Sequence, residues 1–283
     1  MALGVTALAA CWLSAPAPAQ SPVSPHEAVE KARALEASGF PDRAQLYLEG
    51  LIERDESFGR RAEVVLELAR LTPRWDVASD LLERIPDLTR DGQILSRAHL
   101  LLGDAHFSAR RYLSASHEYE KASDLATGET ALAISIKQAT SLAAAGDLTA
   151  ALELYGHISR RAEPTSEIRQ WSELGIARAY LEQGRIAEAA ERFRSVATEH
   201  PESSAAPHAA AGAAVAFARQ GAALESDAFL SLLEEAFPSS FEPLLAAQAA
   251  REATPPDTSA IAPADSVTGA ETPAPSGEDV PEH

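Results

Sequence analysis

One signature returns six times along this chain: a small residue, a large apolar residue four positions on, and an apolar residue three positions after that. It reads Ala44/Leu48/Leu51, Ala78/Leu82/Ile85, Ala115/Tyr119/Ala122, Ala151/Tyr155/Ile158, Ala189/Phe193/Val196 and Ser226/Leu230/Leu233. First members follow one another at steps of 34, 37, 36, 38 and 37 residues. Spacings of four and three place each set on one helical stripe, which can be buried only against a neighbouring helix. A turn residue precedes each set by five positions: Gly39, Pro73, Arg110, Gly146, Gly184 and Gly221. Seven positions before each of these stands Ala32, Leu66, Gly103, Ala139, Ala177 or Ala214, mostly small residues that let two helices approach closely. Tyr180 and Phe217, three positions further on, fill the adjacent space. Each period therefore predicts a helical hairpin, and the chain an all-α array of hairpins. Repeat two departs most, because Leu66 replaces the small residue and Pro73 and Pro86 bracket its second helix.

Composition narrows the function classes. The chain has 283 residues, 46% of them hydrophobic but only 6% aromatic, so its core must be largely aliphatic and Ala-rich. With 42 acidic against 24 basic side chains the net charge is −18, a poor match to a nucleic-acid backbone. The lone Cys11 excludes an internal disulfide and a cysteine-based zinc cluster.

The two ends differ in kind from the middle. Ala2 to Leu13 is an uncharged, largely apolar run, and the Ser14 to Gln20 segment after it puts Ala17 and Ala19 at the −3 and −1 positions of a cleavage site. Residues 1–20 thus read as a secretory signal peptide, too short to span a bilayer, which takes about 20 apolar residues. No Lys or Arg precedes the run. Leu8-Ala9-Ala10-Cys11 also fits a lipobox, in which Cys11 becomes the lipidated first residue; an apolar tail on a cytoplasmic protein is the third reading. At the other end, residues 253–283 carry six prolines and no Lys or Arg, and read as a disordered acidic tail. From Glu252 onward there are seven acidic residues, so the preceding body is itself acidic, with 35 carboxylates against 24 cations. The tail reads either as a ligand for a basic partner or as a solvated spacer.

No catalytic constellation emerges. There is no Gly-x-Ser-x-Gly elbow, no Gly-Lys-Ser/Thr phosphate loop and no His-Glu-x-x-His, and the glycines fall singly at hairpin turns. His99, Asp104, His106 and His117 come nearest to a metal cluster, with His99 and His106 on one helix face. Both occupy large-residue positions of a first helix, so they read as packed, hydrogen-bonded histidines. Neither an enzyme nor a cofactor is expected.

Leu102-Gly103 with Tyr112, Ala115, Tyr119 and Ala122, and Tyr180 with Gly184, Ala189, Phe193 and Pro201, resemble the tetratricopeptide repeat (TPR). The resemblance covers residues 25–238. It implies a right-handed superhelical solenoid of about six hairpins, with a capping helix over 241–251 completing a 25–252 domain. Phe193 to Ser204, with Ala236-Phe237-Pro238-Ser239-Ser240, is similar to the phrasing of bacterial envelope TPR proteins of the barrel-assembly lipoprotein and cell-division coordinator types. There the Pro ends a second helix and the Ser residues would cap the next first helix, with Pro207 in its first turn.

The resemblance also places one face of the first helices on the concave wall. That assigns a partner-binding groove to Arg97, Leu100, Asp104 and Phe107, to Ile136 and Thr140, and to Trp171, Leu174, Arg178 and Leu181. Aromatic and Arg anchors suit an interface centre. Trp171 has the alternative of packing against the preceding hairpin. The function implied is a non-catalytic scaffold of the periplasm or cell envelope that grips a protein or peptide segment. The alternative is a structural lipoprotein subunit of an envelope assembly, touching the membrane only through Cys11. Nucleic acid and small-molecule substrates are not expected.

Overall fold

The computed structural model describes residues 23–238 and Leu245. Six helical hairpins follow one another: α1 (Pro25–Ala37) with α2 (Pro41–Arg54), α3 (Ala62–Leu71) with α4 (Trp75–Glu83), α6 (Gly92–Ser108) with α7 (Tyr112–Leu125), α8 (Gly128–Ala144) with α9 (Leu148–Arg161), α10 (Glu167–Glu182) with α11 (Ile186–Glu199), and α12 (Ala206–Arg219) with α13 (Ala223–Ala236). A 3-10 turn at Phe58–Arg60 leads into α3, and the short α5 (Ile85–Leu88) follows α4. Each helix packs on its sequence neighbours, so the whole is a solenoid. Among the described residues there is no strand, and no helix is long and apolar enough to cross a membrane.

Turn chemistry makes the hairpins. Gly39, Gly146, Gly184 and Gly221 take positive φ between 76° and 88°, the left-handed region open to a residue without Cβ. Arg110 takes the equivalent place in the third hairpin at φ 59°, without that freedom. Helix starts are capped by Ser24, Asp91, Asp147 and Ser166, each accepting from a backbone N–H of the first turn. In the second hairpin, Pro73 lies in the turn and the second helix breaks at Arg84, just before Pro86.

The repeated stripe forms the core. Ala44, Leu48, Ala115, Tyr119, Ala122, Ala151, Tyr155, Ile158, Ala189, Phe193 and Val196 are all buried. Three glycines let an aromatic ring lie on bare backbone. A Cβ at Gly103 would stand 2.5 Å from the Tyr119 ring, one at Gly175 2.4 Å from Tyr155, and one at Gly212 2.5 Å from Phe193. Buried serines close helix pairs through backbone oxygens: Ser96 donates to Ala122 O, Ser172 to Tyr155 O and Ser226 to Ala214 O.

Two expectations are corrected. Leu174 is not a groove residue: it is fully buried, packed with Ala177, Phe193 and Ala210, because α10 is covered by α8, α9, α11 and α12 together. Ser203 and Ser204 do not cap α12, whose N-cap is Ala205. Instead their hydroxyls donate to the carboxylate of Glu167, at 3.0 and 2.7 Å. The expected signal peptide with Cys11, the acidic tail and the capping helix lie outside the described residues, apart from Leu245.

Candidate functional site

The face of the first helices divides into three stretches. At the N-terminal end it carries charges one repeat apart. Arg33 of α1 reaches Glu67 of α3 at 3.4 Å, while Arg70 holds Glu67 at 2.7 Å and forks onto Glu36. Glu67 is 1% exposed, so this network bolts α1 to α3 and occupies its own polar groups.

In the middle, Lys137 of α8 pairs with Asp104 of α6 at 2.7 Å, and the buried Tyr119 hydroxyl donates to the same carboxylate at 2.6 Å. Burial, then the adjacent Asp104 carboxylate, drives the Tyr119 pKa well above its usual value. Asp104, Phe107, Ser108, Tyr119, Lys137 and Thr140 line a cavity of about 270 Å³. The structure thus brings together three predicted groove residues, Asp104, Phe107 and Thr140. Thr140 also shares a 2.8 Å hydrogen bond with Tyr155. Leu100 and Phe107 pack on the Tyr119 cluster, and Ile136 on the Tyr155 cluster, each keeping part of its surface open. Arg97 is exposed near the start of α6.

At the C-terminal end Arg178 is solvent-accessible, yet the protein around it depresses its guanidinium pKa, with Tyr155 and Glu182 acting in the opposite sense. No ion pair ties it to a carboxylate among the described residues. Leu181 is partly open in the same cluster. Trp171 packs against the following hairpin rather than the preceding one: its indole N–H donates to Ser204 Oγ at 2.9 Å and its ring lies 5.4 Å from that of His208. Burial raises the pKa of the neighbouring Glu167, but the donations from Ser204 and Ser203 outweigh it and leave the carboxyl below its usual range.

A cavity of about 790 Å³ lies along α10 and α11 between Arg169, Glu173, Tyr180, Arg192, Glu199 and His200. Its acidic side chains already have partners. Glu173 accepts from Ser159 and pairs with Arg192, Glu188 pairs with Arg185, Glu191 with Arg194, and Glu199 accepts from Ser195. It is a charged seam between helices with little polar capacity left over.

Of the four residues weighed as a metal cluster, His99 contacts Glu118 at 2.7 Å, holding that carboxyl down at about 2 together with Lys121. Asp104 is taken by Lys137 and Tyr119, and the His106 ring faces Trp75. Among the described residues no group of three metal-ligating side chains converges.

The interactions missed at sequence level share one signal. Arg33 and Glu67, Glu36 and Arg70, and Asp104 and Lys137 are separated by 34, 34 and 33 residues, about one repeat. Opposite charges one period apart on the same stripe mark contacts between adjacent first helices.

Comparison with known proteins follows the same lines. A family model described as tetratricopeptide repeat matches residues 172–203, from α10 through α11. No curated protein sequence matches the chain. Pseudomonas aeruginosa pilF superposes with a TM-score of 0.58 at 13% identity, over 80% of this chain and 96% of that one. The nearly identical TPR-like repeats of a Podosopora anserina protein assigned as a kinesin light chain superpose with a TM-score of 0.53 at 20% identity, over 61% and 94%. These likenesses establish the fold, and the matched repeat has the same register as the five others. Residues 172–203 thus carry a tetratricopeptide repeat, and the hairpin array as a whole has the fold of tetratricopeptide-repeat solenoids.

Proposed function

We propose that this protein is an exported, non-catalytic scaffold that binds a protein or peptide segment along the face of its first helices, from the Asp104 cavity to Leu181. The observation that carries this reading is Arg178, an exposed guanidinium on α10 close to Tyr155 and Glu182 and without an ion pair among the described residues. An exposed guanidinium without an ion pair can take an arriving carboxylate in a charge-assisted pair. The partly open apolar side chains of the same face supply area for the remainder of a peptide. Export rests on residues 1–20, with Ala17 and Ala19 at cleavage spacing, and a lipid on Cys11 would add an anchor.

Affinity capture from the envelope fraction tests the reading. Wild type and Glu153→Ala, altered at an exposed second-helix position, should retain a partner that Arg178→Ala loses. A partner held equally by all three would move the interface off this face and favour the structural-subunit alternative. Mass spectrometry of the mature N-terminus separates cleavage after Ala19 from acylation of Cys11.

A further inference from the structure

The turn edge between the second and third hairpins carries a cluster that the groove reading does not use. Trp75 opens α4 with 37% of its surface exposed. The guanidinium of Arg111 lies 5.2 Å over its ring, and His106 faces it at 5.6 Å. The buried Nδ1 of His106 has no hydrogen-bond partner. Beside them Arg110 stands in the left-handed conformation that glycine takes in four other hairpins, which presents an exposed second guanidinium at the turn. Neither Arg110 nor Arg111 is ion-paired among the described residues. The nearby carboxylates are neutralised: Asp76 by Arg74, Asp104 by Lys137. Pro73, Trp75, Asp104 and Ser108 border an open cavity of about 440 Å³ here.

An aromatic platform with Arg111 over its ring and the exposed Arg110 adjoining it in the turn suits a segment that offers prolines to the ring and carboxylates to the cations. Such a segment exists in the same chain. From Glu252 onward the sequence holds Pro255, Pro256, Pro263, Pro273, Pro275 and Pro281 with seven acidic residues and no Lys or Arg. We propose that the Trp75, Arg110, Arg111 edge docks this acidic, proline-rich C-terminal segment of its own chain. Reach is sufficient. Six helix-to-helix steps separate α13 from α7, at most about 60 Å at ~10 Å per step, while the chain from Pro238 to Asp265, with 241–251 helical as expected from the sequence, still reaches about 70 Å. Tethering raises the local concentration of the segment to the millimolar range, so even a weak contact is populated. Because Asp104 and Ser108 line both this cavity and the one beneath Lys137, a docked segment would stand at the mouth of the proposed groove.

Paramagnetic relaxation in the full chain tests this. A nitroxide at Asp265→Cys, in a Cys11→Ser background, should broaden the Trp75 indole signal, assigned by Trp75→Phe, and leave that of Trp171 sharp at low salt. The signal should recover in 1 M NaCl, where the screening length falls to about 3 Å, and in Arg110→Gly with Arg111→Gln. Arg110→Gly restores the residue the turn geometry prefers, and an unchanged thermal midpoint and circular dichroism spectrum of the double variant separate loss of docking from loss of fold. A Trp75 signal that is sharp at low salt, or equally broadened in the variant, overturns the proposal. Neither result depends on an external partner, so the groove reading stands or falls separately.

Discussion

The first two hairpins and the last two solve the same packing problem with different chemistry. Between α1 and α3 the first-helix face is held by Arg33, Glu36, Glu67 and Arg70, with Glu67 buried as their common anchor. In the last two hairpins, α10 to α13, the core packing is made by alanines and rings. Ala206, Ala209, Ala210, Ala213, Ala214 and Ala216 are buried, Phe193 lies on Gly212, and Phe217 stacks on Phe229 at 5.7 Å. A wall that spends its charges on itself has none to offer a ligand. Where small residues bring the helices together, a side chain such as Arg178 is left over. The polar capacity of the solenoid is therefore graded along its length, and the ungraded part is the hydrophobic stripe.

Four measurements break or sharpen this contrast. The largest expected effect is in the shared stripe: Phe193→Ala should cost about 3–5 kcal/mol and Leu48→Ala about 2–5 kcal/mol in urea unfolding. A Phe193→Ala cost well below that of Leu48→Ala would show that ring-on-glycine packing does not hold the C-terminal half. Next, Glu67→Ala should cost about 1–3 kcal/mol by removing the buried carboxylate that Arg33 and Arg70 share, leaving them Glu30 and Glu36 at the surface, whereas Arg178→Ala should stay within about 0.5 kcal/mol. Equal costs would erase the distinction between a locked and an open wall.

Smaller still is the acid limb of the middle stretch. Glu118 has a pKa of about 2, below the ordinary 4.5, so its contribution is present above about 4.5 and disappears as the pH falls through about 2. Thermal midpoints across that window should show Glu118→Gln removing about 1 kcal/mol of pH dependence. A slope unchanged by the substitution would discount the His99 contact. The smallest effect is a gain. Arg110→Gly should raise stability by about 0.5–1 kcal/mol, the left-handed strain relieved less the entropy of glycine. A loss in calorimetry would mean that the Arg110 side chain itself supports the fold.

The hairpin array was legible because its cause is periodic. Ala44, Ala115, Ala151 and Ala189 recur with partners at four and seven positions, and Gly39, Gly146, Gly184 and Gly221 punctuate them, so local chemistry alone gives register. Repeat two is irregular at the same residues that made it irregular on paper, Pro73 and Pro86. The face of the helices was legible only in part. Leu174 shares the spacing of an exposed position, but its burial is decided by how many helices cover α10, which a single helical wheel does not contain. The Glu167 clasp on Ser203 and Ser204 joins residues 36 and 37 apart and replaces a local cap that the Ser pair would otherwise have made. Trp171 follows from that clasp, since its indole N–H is directed to Ser204 in the next hairpin.

The break at Arg84 and Pro86 leaves α4 with nine residues, where the second helices elsewhere have fourteen, and hands the remaining turn to the four-residue α5. In an array where each unit is stabilised by its neighbours, cooperativity is a property of the joints, and we expect the joint that follows this interrupted helix to be where melting divides the array. Amide protons of α1 to α4 should then exchange as one block and those from α6 onward as another. To a pulling force or to a protease the molecule would behave as two bodies in series, a short ion-bolted one and a long ring-packed one, linked at a proline.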